Sequence, residues 1–206
     1  VRVRAPASPA AAKPPAQKNI AFVIDRSGSM SGPPLEEAKR CVMQIIDSMA
    51  PTDCASIIAY NNRVDVVAPL QPVADRAALK ALIGAIGAGG NTALYAGWHA
   101  GAQSLDDIAH GTGISRVLLL SDGQANNGLT EPVAIAAQCA AFATRGVTTS
   151  TCGLGHDFNE ELISAMAQAG GGTAYYGETA EDLIDPMQQE LDLLSVLFAR
   201  RLRLTV

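Results

Sequence analysis

Aromatic side chains are scarce in this chain: Phe, Tyr and Trp together make up 4% of its 206 residues. A core built here rests on small and aliphatic side chains. Charge is also thin, at 17% Asp, Glu, Lys and Arg with a net of -5, which excludes the basic face a nucleic-acid binder carries. No apolar run is long enough to cross a bilayer, the longest helical one being the Ala-rich stretch Val133–Ala143. The four cysteines, Cys41, Cys54, Cys139 and Cys152, include no CxxC pair, the usual sign of a zinc site. Each sits among apolar residues and reads as a buried free thiol. A Cys139–Cys152 bridge, joining neighbouring elements, is the alternative that sequence leaves open.

What is present is apolar substance, 48% of residues, enough for one well-buried α/β domain. Residues 1–18 are rich in Ala and Pro, cannot bury a core and read as a linker. Residues 19–198 read as the globular body, and 199–206, alternating Arg and aliphatic residues, as the start of a following segment or domain. The chain opens on Val1 rather than Met, as a fragment or a processed product would. Arg2 and Arg4 precede no apolar run, so no signal peptide is visible.

Strands and helices alternate along the body. Asn19–Asp25 is an apolar run ending on a carboxylate, expected as a buried strand. Leu35, Ala38, Val42, Ile45, Ile46 and Met49 follow at helical spacing, with Pro33 and Pro34 suited to the first turn. Cys54–Tyr60 is a second strand. Asn61, Asn62 and Arg63 turn it into Val64–Ala68, expected as a hairpin with one antiparallel edge strand. Helices are expected at Ala77–Ile86, at Ala93 to about Ala109, at Pro132–Thr144 capped by Gly146, at Glu160–Ala169 capped by Asn159, and at Glu181–Phe198. Strands are expected at Arg116–Ser121, Val147–Cys152 and Thr173–Tyr176. Strands separated by helices of this length predict a doubly wound α/β fold: a mostly parallel sheet of about six strands with helices on both faces.

Ligands of such a sheet bind beyond the carboxyl ends of its strands. Three polar segments are expected there: Asp25-Arg26-Ser27-Gly28-Ser29, Gly89-Gly90-Asn91-Thr92 and Ser121-Asp122-Gly123. Their oxygen donors, without Cys or His, suit Mg²⁺, Mn²⁺ or Ca²⁺, with Mg²⁺ first. The candidate ligands are Asp25, Ser27, Ser29, Thr92 and Asp122. If one or both carboxylates act through water, the ion stays electrophilic toward an outside oxygen.

In order and spacing, Asp25-x-Ser27-x-Ser29 with Thr92 and Asp122 resembles the metal-ion-dependent adhesion site (MIDAS) of von Willebrand factor type A domains. The likeness covers roughly residues 18–198. The strings DRSGSMSGPPLEEAK, GGNTALYAG and LLLSDGQAN are similar to bacterial members and to the heavy chains of inter-alpha-trypsin inhibitors. The resemblance implies a Rossmann-like sheet, a divalent cation held by Ser27, Ser29 and Thr92 with Asp25 and Asp122 often acting through water, and a vacant position for a Glu or Asp of a protein partner or of another domain of the same longer chain. Catalysis is not general in the family. In some members the last helix moves on ligand engagement, and a modest version is expected here. Arg26 stands where many members carry a small or apolar residue, and would add a positive rim.

Single polar residues here could equally cap turns; five together make that reading weak. An intact site whose metal serves only stability is the more serious alternative. A metal-assisted hydrolase would need a base beside the ion, for which only His156 or Asp157 offers itself. His99, His110, Tyr95 and Trp98 read as packing or surface residues. Ile184, Met187, Leu191, Leu194 and Phe198 read as a face packed on the sheet, the repeat being too short for a coiled coil.

Overall fold

The computed structural model describes residues 16–109, 113–122, 124–154 and 159–195. Among these, six strands and six α-helices alternate: β1 Lys18–Asp25, α1 Pro33–Ser48, β2 Cys54–Tyr60, β3 Val64–Pro72, α2 Arg76–Gly84, α3 Leu94–Asp106, β4 Ile114–Ser121, α4 Pro132–Arg145, β5 Val147–Leu154, α5 Glu160–Ala169, β6 Gly171–Gly177 and α6 Ala180–Ser195. The strands form one sheet in the order β3-β2-β1-β4-β5-β6. Only the β2–β3 pair is antiparallel. The expected doubly wound sheet with one antiparallel edge strand is therefore the fold. The chain builds outward from β1 in one direction, then resumes beside β1 with β4 and builds in the other. That reversal opens a crevice beyond the ends of β1 and β4.

Period-two alternation divides the core into two layers. Ile20, Phe22 and Ile24 of β1 join the α1, α2 and α6 side, with Leu35, Val42, Ile46, Ile83 and Leu183. Ala21 and Val23 join the α3, α4 and α5 side, with Leu94, Trp98, Ile135, Phe142 and Ile163. Both sheet faces are covered, which is why β1 and β4 read as near-continuous apolar runs. Each fully buried large aliphatic side chain contributes about 1.5–3 kcal/mol over leaving it in water.

Local signals place most helix ends. Pro33 and Pro34 open α1, Asp75 caps α2 by accepting from the Ala78 N–H, and Asn159 caps α5 by accepting from the Leu162 N–H. Gly146 closes α4 in the left-handed conformation. Trp98 lies fully buried with its indole N–H on Thr149 Oγ1 at 3.0 Å, and Tyr95 and His99 stack beside it as packing residues. Ile184, Met187 and Leu191 of α6 pack on the sheet, as expected. All four cysteines are free, so the Cys139–Cys152 bridge is not formed. Pro186 lies inside α6, a feature the spacing did not signal. The expectations for 1–15, His110, Gly123, His156, Asp157 and Phe198 fall outside the described residues, as does the segment 199–206, and nothing is described of the Leu194 side chain.

Candidate metal centre

Asp25, Tyr60 and Ser121 are the last residues of β1, β2 and β4. Asp25 is paired with Tyr60 across β1–β2, and Ile24 with Leu120 across β1–β4. Alternation then sends the three side chains to one face of the sheet, the α3 face. The Tyr60 hydroxyl donates to Asp25 Oδ2 at 3.1 Å and the Ser121 hydroxyl to the same oxygen at 2.6 Å. Asp25 Oδ1 accepts the Ser27 N–H at 2.8 Å. Three protein donors thus fix a carboxylate that is 0% exposed.

That burial raises the Asp25 pKa above its ordinary value, against the lowering pull of its hydrogen bonds, and the charge of Asp122 raises it further. Burial and the Asp25 charge also push Tyr60 well above the usual phenol range, keeping its proton available for donation. Among the described residues neither Asp25 nor Asp122 is in a salt bridge. Two buried carboxylates therefore face one another's charge with no salt-bridged cation among the described residues.

Backbone bonds weld the loops. Met30 N–H donates to Ser27 O, curling the first loop into a single 3₁₀ turn, Gly28–Met30. Gly28 N–H donates to Gly90 O at 2.9 Å and Gly89 N–H to Arg26 O at 2.8 Å, joining the first segment to the second. Gly90 holds a φ of 84°, and a Cβ there would meet Asn62 Oδ1 at 2.6 Å, so the joint needs glycine. Thr92 N–H donates to Asn126 Oδ1 at 2.8 Å, while Asn126 and Asn127 N–H groups donate back to Thr92 O, joining the second segment to the stretch that follows the third. Asp122 Oδ1 accepts the Gln124 N–H at 3.1 Å. The Ser27 and Ser29 hydroxyls lie 3.1 Å apart, as the i, i+2 spacing suggested.

The structure brings the three expected segments together at the switch point. Ser27, Thr92 and Asp122 are 1%, 1% and 7% exposed. Among the described residues no cluster of three or more His, Cys, Asp or Glu forms. Sequence reasoning missed Tyr60 and Asn126 and passed over the Ser121 hydroxyl as a support for Asp25. The signal for Tyr60 was available: a polar-tipped residue ending an apolar strand level with Asp25. Arg26 differs from its expected role as a positive rim. Its guanidinium pairs with Asp65 of β3 and lines a cavity of about 220 Å³ with Val67, Leu82 and Ile86.

The chain belongs to the von Willebrand factor type A domain family, whose model matches residues 19–189. It is 30% identical over 183 residues to an uncharacterized Synechocystis protein, sll0103, covering 86% of this chain and 41% of that protein. It is 28% identical over 166 residues to the human inter-alpha-trypsin inhibitor heavy chain H4, covering 76% of this chain and 18% of that one. The chain therefore spans less than half the length of these relatives. Among solved structures, a von Willebrand factor type A protein from Catenulispora acidiphila superposes with a TM-score of 0.72 at 25% identity, covering 85% of this chain and 42% of that one. The proximal thread matrix protein 1 of the mussel byssus, solved with a zinc-occupied MIDAS motif, superposes with a TM-score of 0.69 at 20% identity, covering 89% and 49%. No helix among the described residues is long and apolar enough to cross a membrane.

Proposed function

We propose that this domain is a protein-binding module that works through a divalent cation and engages an Asp or Glu side chain of a partner protein or of a neighbouring domain. Ser27, Ser29 and Thr92 would hold the ion through hydroxyl oxygens, with Asp25 and Asp122 supplying negative charge. The donors are all oxygen and suit a hard ion, Mg²⁺ first. The observation that carries this reading is the pair of buried carboxylates that, among the described residues, form no salt bridge, set in loops that hydrogen-bond to one another.

When bound, the ion supplies a Lewis-acidic position for an anionic oxygen from outside. The protein's part is preorganisation. Tyr60, Ser121 and the Ser27 N–H hold Asp25 fixed, so its charge supports the ion while its oxygens stay occupied inside the protein. Asn126 holds the Thr92 backbone. None of the relatives and structures described above is named as an enzyme.

A second reading, an ion that serves only stability, is favoured by the same repulsion between Asp25 and Asp122, which any cation would relieve. Affinity capture with the domain as bait, in Mg²⁺ and in chelator, separates the two. Partners recovered only with metal support the binding module. Equal recovery, with a metal-dependent rise in Tm, supports the stabilising ion. Because the mussel protein holds zinc at its motif, Zn²⁺ belongs beside Mg²⁺, Mn²⁺ and Ca²⁺ in the metal titration.

A further inference from the structure

Away from the loops, three sulfur atoms meet inside the core. Cys152 of β5 points its thiol at Met187 Sδ of α6 at 3.3 Å, and Cys41 of α1 points its thiol at the same sulfur at 4.0 Å. Cys41 and Cys152 are 0% exposed and Met187 is 1% exposed. The three residues come from three separate elements and share one apolar layer. The thiols are close enough for the charge of one to oppose ionisation of the other, and Glu37 and Glu190 add negative potential from α1 and α6.

We propose that Cys41, Cys152 and Met187 form a binding site for a soft monovalent d¹⁰ ion, Cu(I), that ties α6 to α1 and β5. Two thiolates and a thioether are soft donors that suit Cu(I). A zinc site would need four N, S or O donors in a tetrahedron, and the hard-ion set at the loops contains no sulfur. Both separations from Met187 Sδ agree as well. With metal–sulfur bonds of about 2.3 Å, a trigonal ion spaces its sulfurs about 4 Å apart. The Cys41–Met187 pair already stands at that separation, and the Cys152–Met187 pair opens by less than ~1 Å to reach it.

The charge and proton balance closes without an oxidant. Both thiols give up their protons and bind Cu(I) as thiolates, the thioether binds as a neutral donor, and two protons leave per ion, so the ion–ligand unit carries one negative charge. The burial that holds both thiols protonated in the empty site makes this proton release part of binding.

The test uses the full 206-residue chain, reduced and free of oxygen, with Cu(I) delivered from a chromophoric Cu(I) chelator. One Cu(I) per chain is expected. Cys41→Ser and Cys152→Ser should each weaken binding by roughly a hundredfold or more, beyond what loss of a supporting residue costs, and Met187→Leu by roughly tenfold. Cys54→Ser and Cys139→Ser should leave it unchanged. Copper X-ray absorption on the unmutated protein, which does not depend on how the variants fold, should show sulfur ligands only, near 2.3 Å. No uptake by the folded chain, uptake lost only in Cys54→Ser, full uptake by a Cys41→Ser/Cys152→Ser double variant, or nitrogen and oxygen ligands in the absorption spectrum would each overturn the proposal.

Discussion

The Tyr60 hydroxyl stands 3.1 Å from Asp25 Oδ2, an oxygen that also accepts from Ser121, so one buried carboxylate oxygen serves two strands. Tyr60→Phe removes one donor from that carboxylate and leaves the ring in place. Hydrogen bonds to charged groups contribute about 1.5–3 kcal/mol, and a loss in that range is expected. Urea denaturation of the metal-free domain measures it. An unchanged midpoint would show that the bond carries no weight.

Thr92→Ala and Asp122→Ala should each lower Mg²⁺ affinity by roughly tenfold or more, since each deletes a proposed ligand. Asn126→Ala keeps all five proposed ligands but removes the side-chain acceptor of the Thr92 N–H, and should fall between these variants and the parent. Isothermal titration with Mg²⁺ reads all three. Equal affinity in Thr92→Ala and the parent would remove Thr92 from the ligand set.

Gly97 of α3 sits where a Cβ would lie 2.3 Å from Tyr60 Cγ. Gly97→Ala must therefore push Tyr60 or the helix aside. Overpacking of this kind costs about 1–3 kcal/mol, and here it should also weaken metal binding because Tyr60 supports Asp25. Gly87→Ala is the control, with nothing within 4 Å of its Cβ. Thermal melts with and without Mg²⁺ should separate the two variants. Matching melts would mean that α3 yields without disturbing the site.

Arg116, 3% exposed on β4, pairs with Glu190 of α6, and Glu190 also accepts from Ser150 and Thr173. Glu190→Ala strands a buried guanidinium, and about 3–5 kcal/mol of stability should go with it. The double variant Arg116→Met/Glu190→Leu should recover most of the loss. Chemical denaturation of the three proteins tests this, and a single variant as stable as the double would contradict it.

Burial pushes the thiols of Cys41 and Cys139 up to about 12 from an ordinary 9.0. Their folded values lie above their unfolded ones, so their stabilising effect is whole below pH 9 and is lost as pH rises toward 12. Each thiol steepens the fall by about 1.4 kcal/mol per pH unit across that window. At pH 8 the native domain should be alkylated first at Cys54, which is half-buried, with Cys41, Cys139 and Cys152 labelled only in urea. Mass spectrometry of iodoacetamide-treated protein decides the order, and early labelling of Cys152 would contradict it.

Element type was legible because the apolar spacing is clean. Leu35, Val42 and Ile46 repeat at helical period, and β1 and β4 are unbroken apolar runs with covered faces on both sides. Boundaries drifted where end signals were weak: β3 continues through Pro69 to Pro72, because an edge strand tolerates a proline that an inner strand would not. Pro186 was invisible as an interior helix residue, since local rules place a proline at a helix end. The candidate metal residues were legible from their order and spacing, because each follows directly on a strand or precedes a helix.

By itself the sequence determined the alternation of strands and helices and the three polar segments at the strand ends, because these depend on periodicity and residue chemistry within a few positions. Tertiary structure alone decided that Tyr60 and Ser121 converge on Asp25, that Arg26 turns to Asp65, and that Cys41 and Cys152 both reach the Met187 sulfur. Those meetings join residues far apart in the chain, and sheet register and helix packing, which no local spacing encodes, bring them within bonding distance.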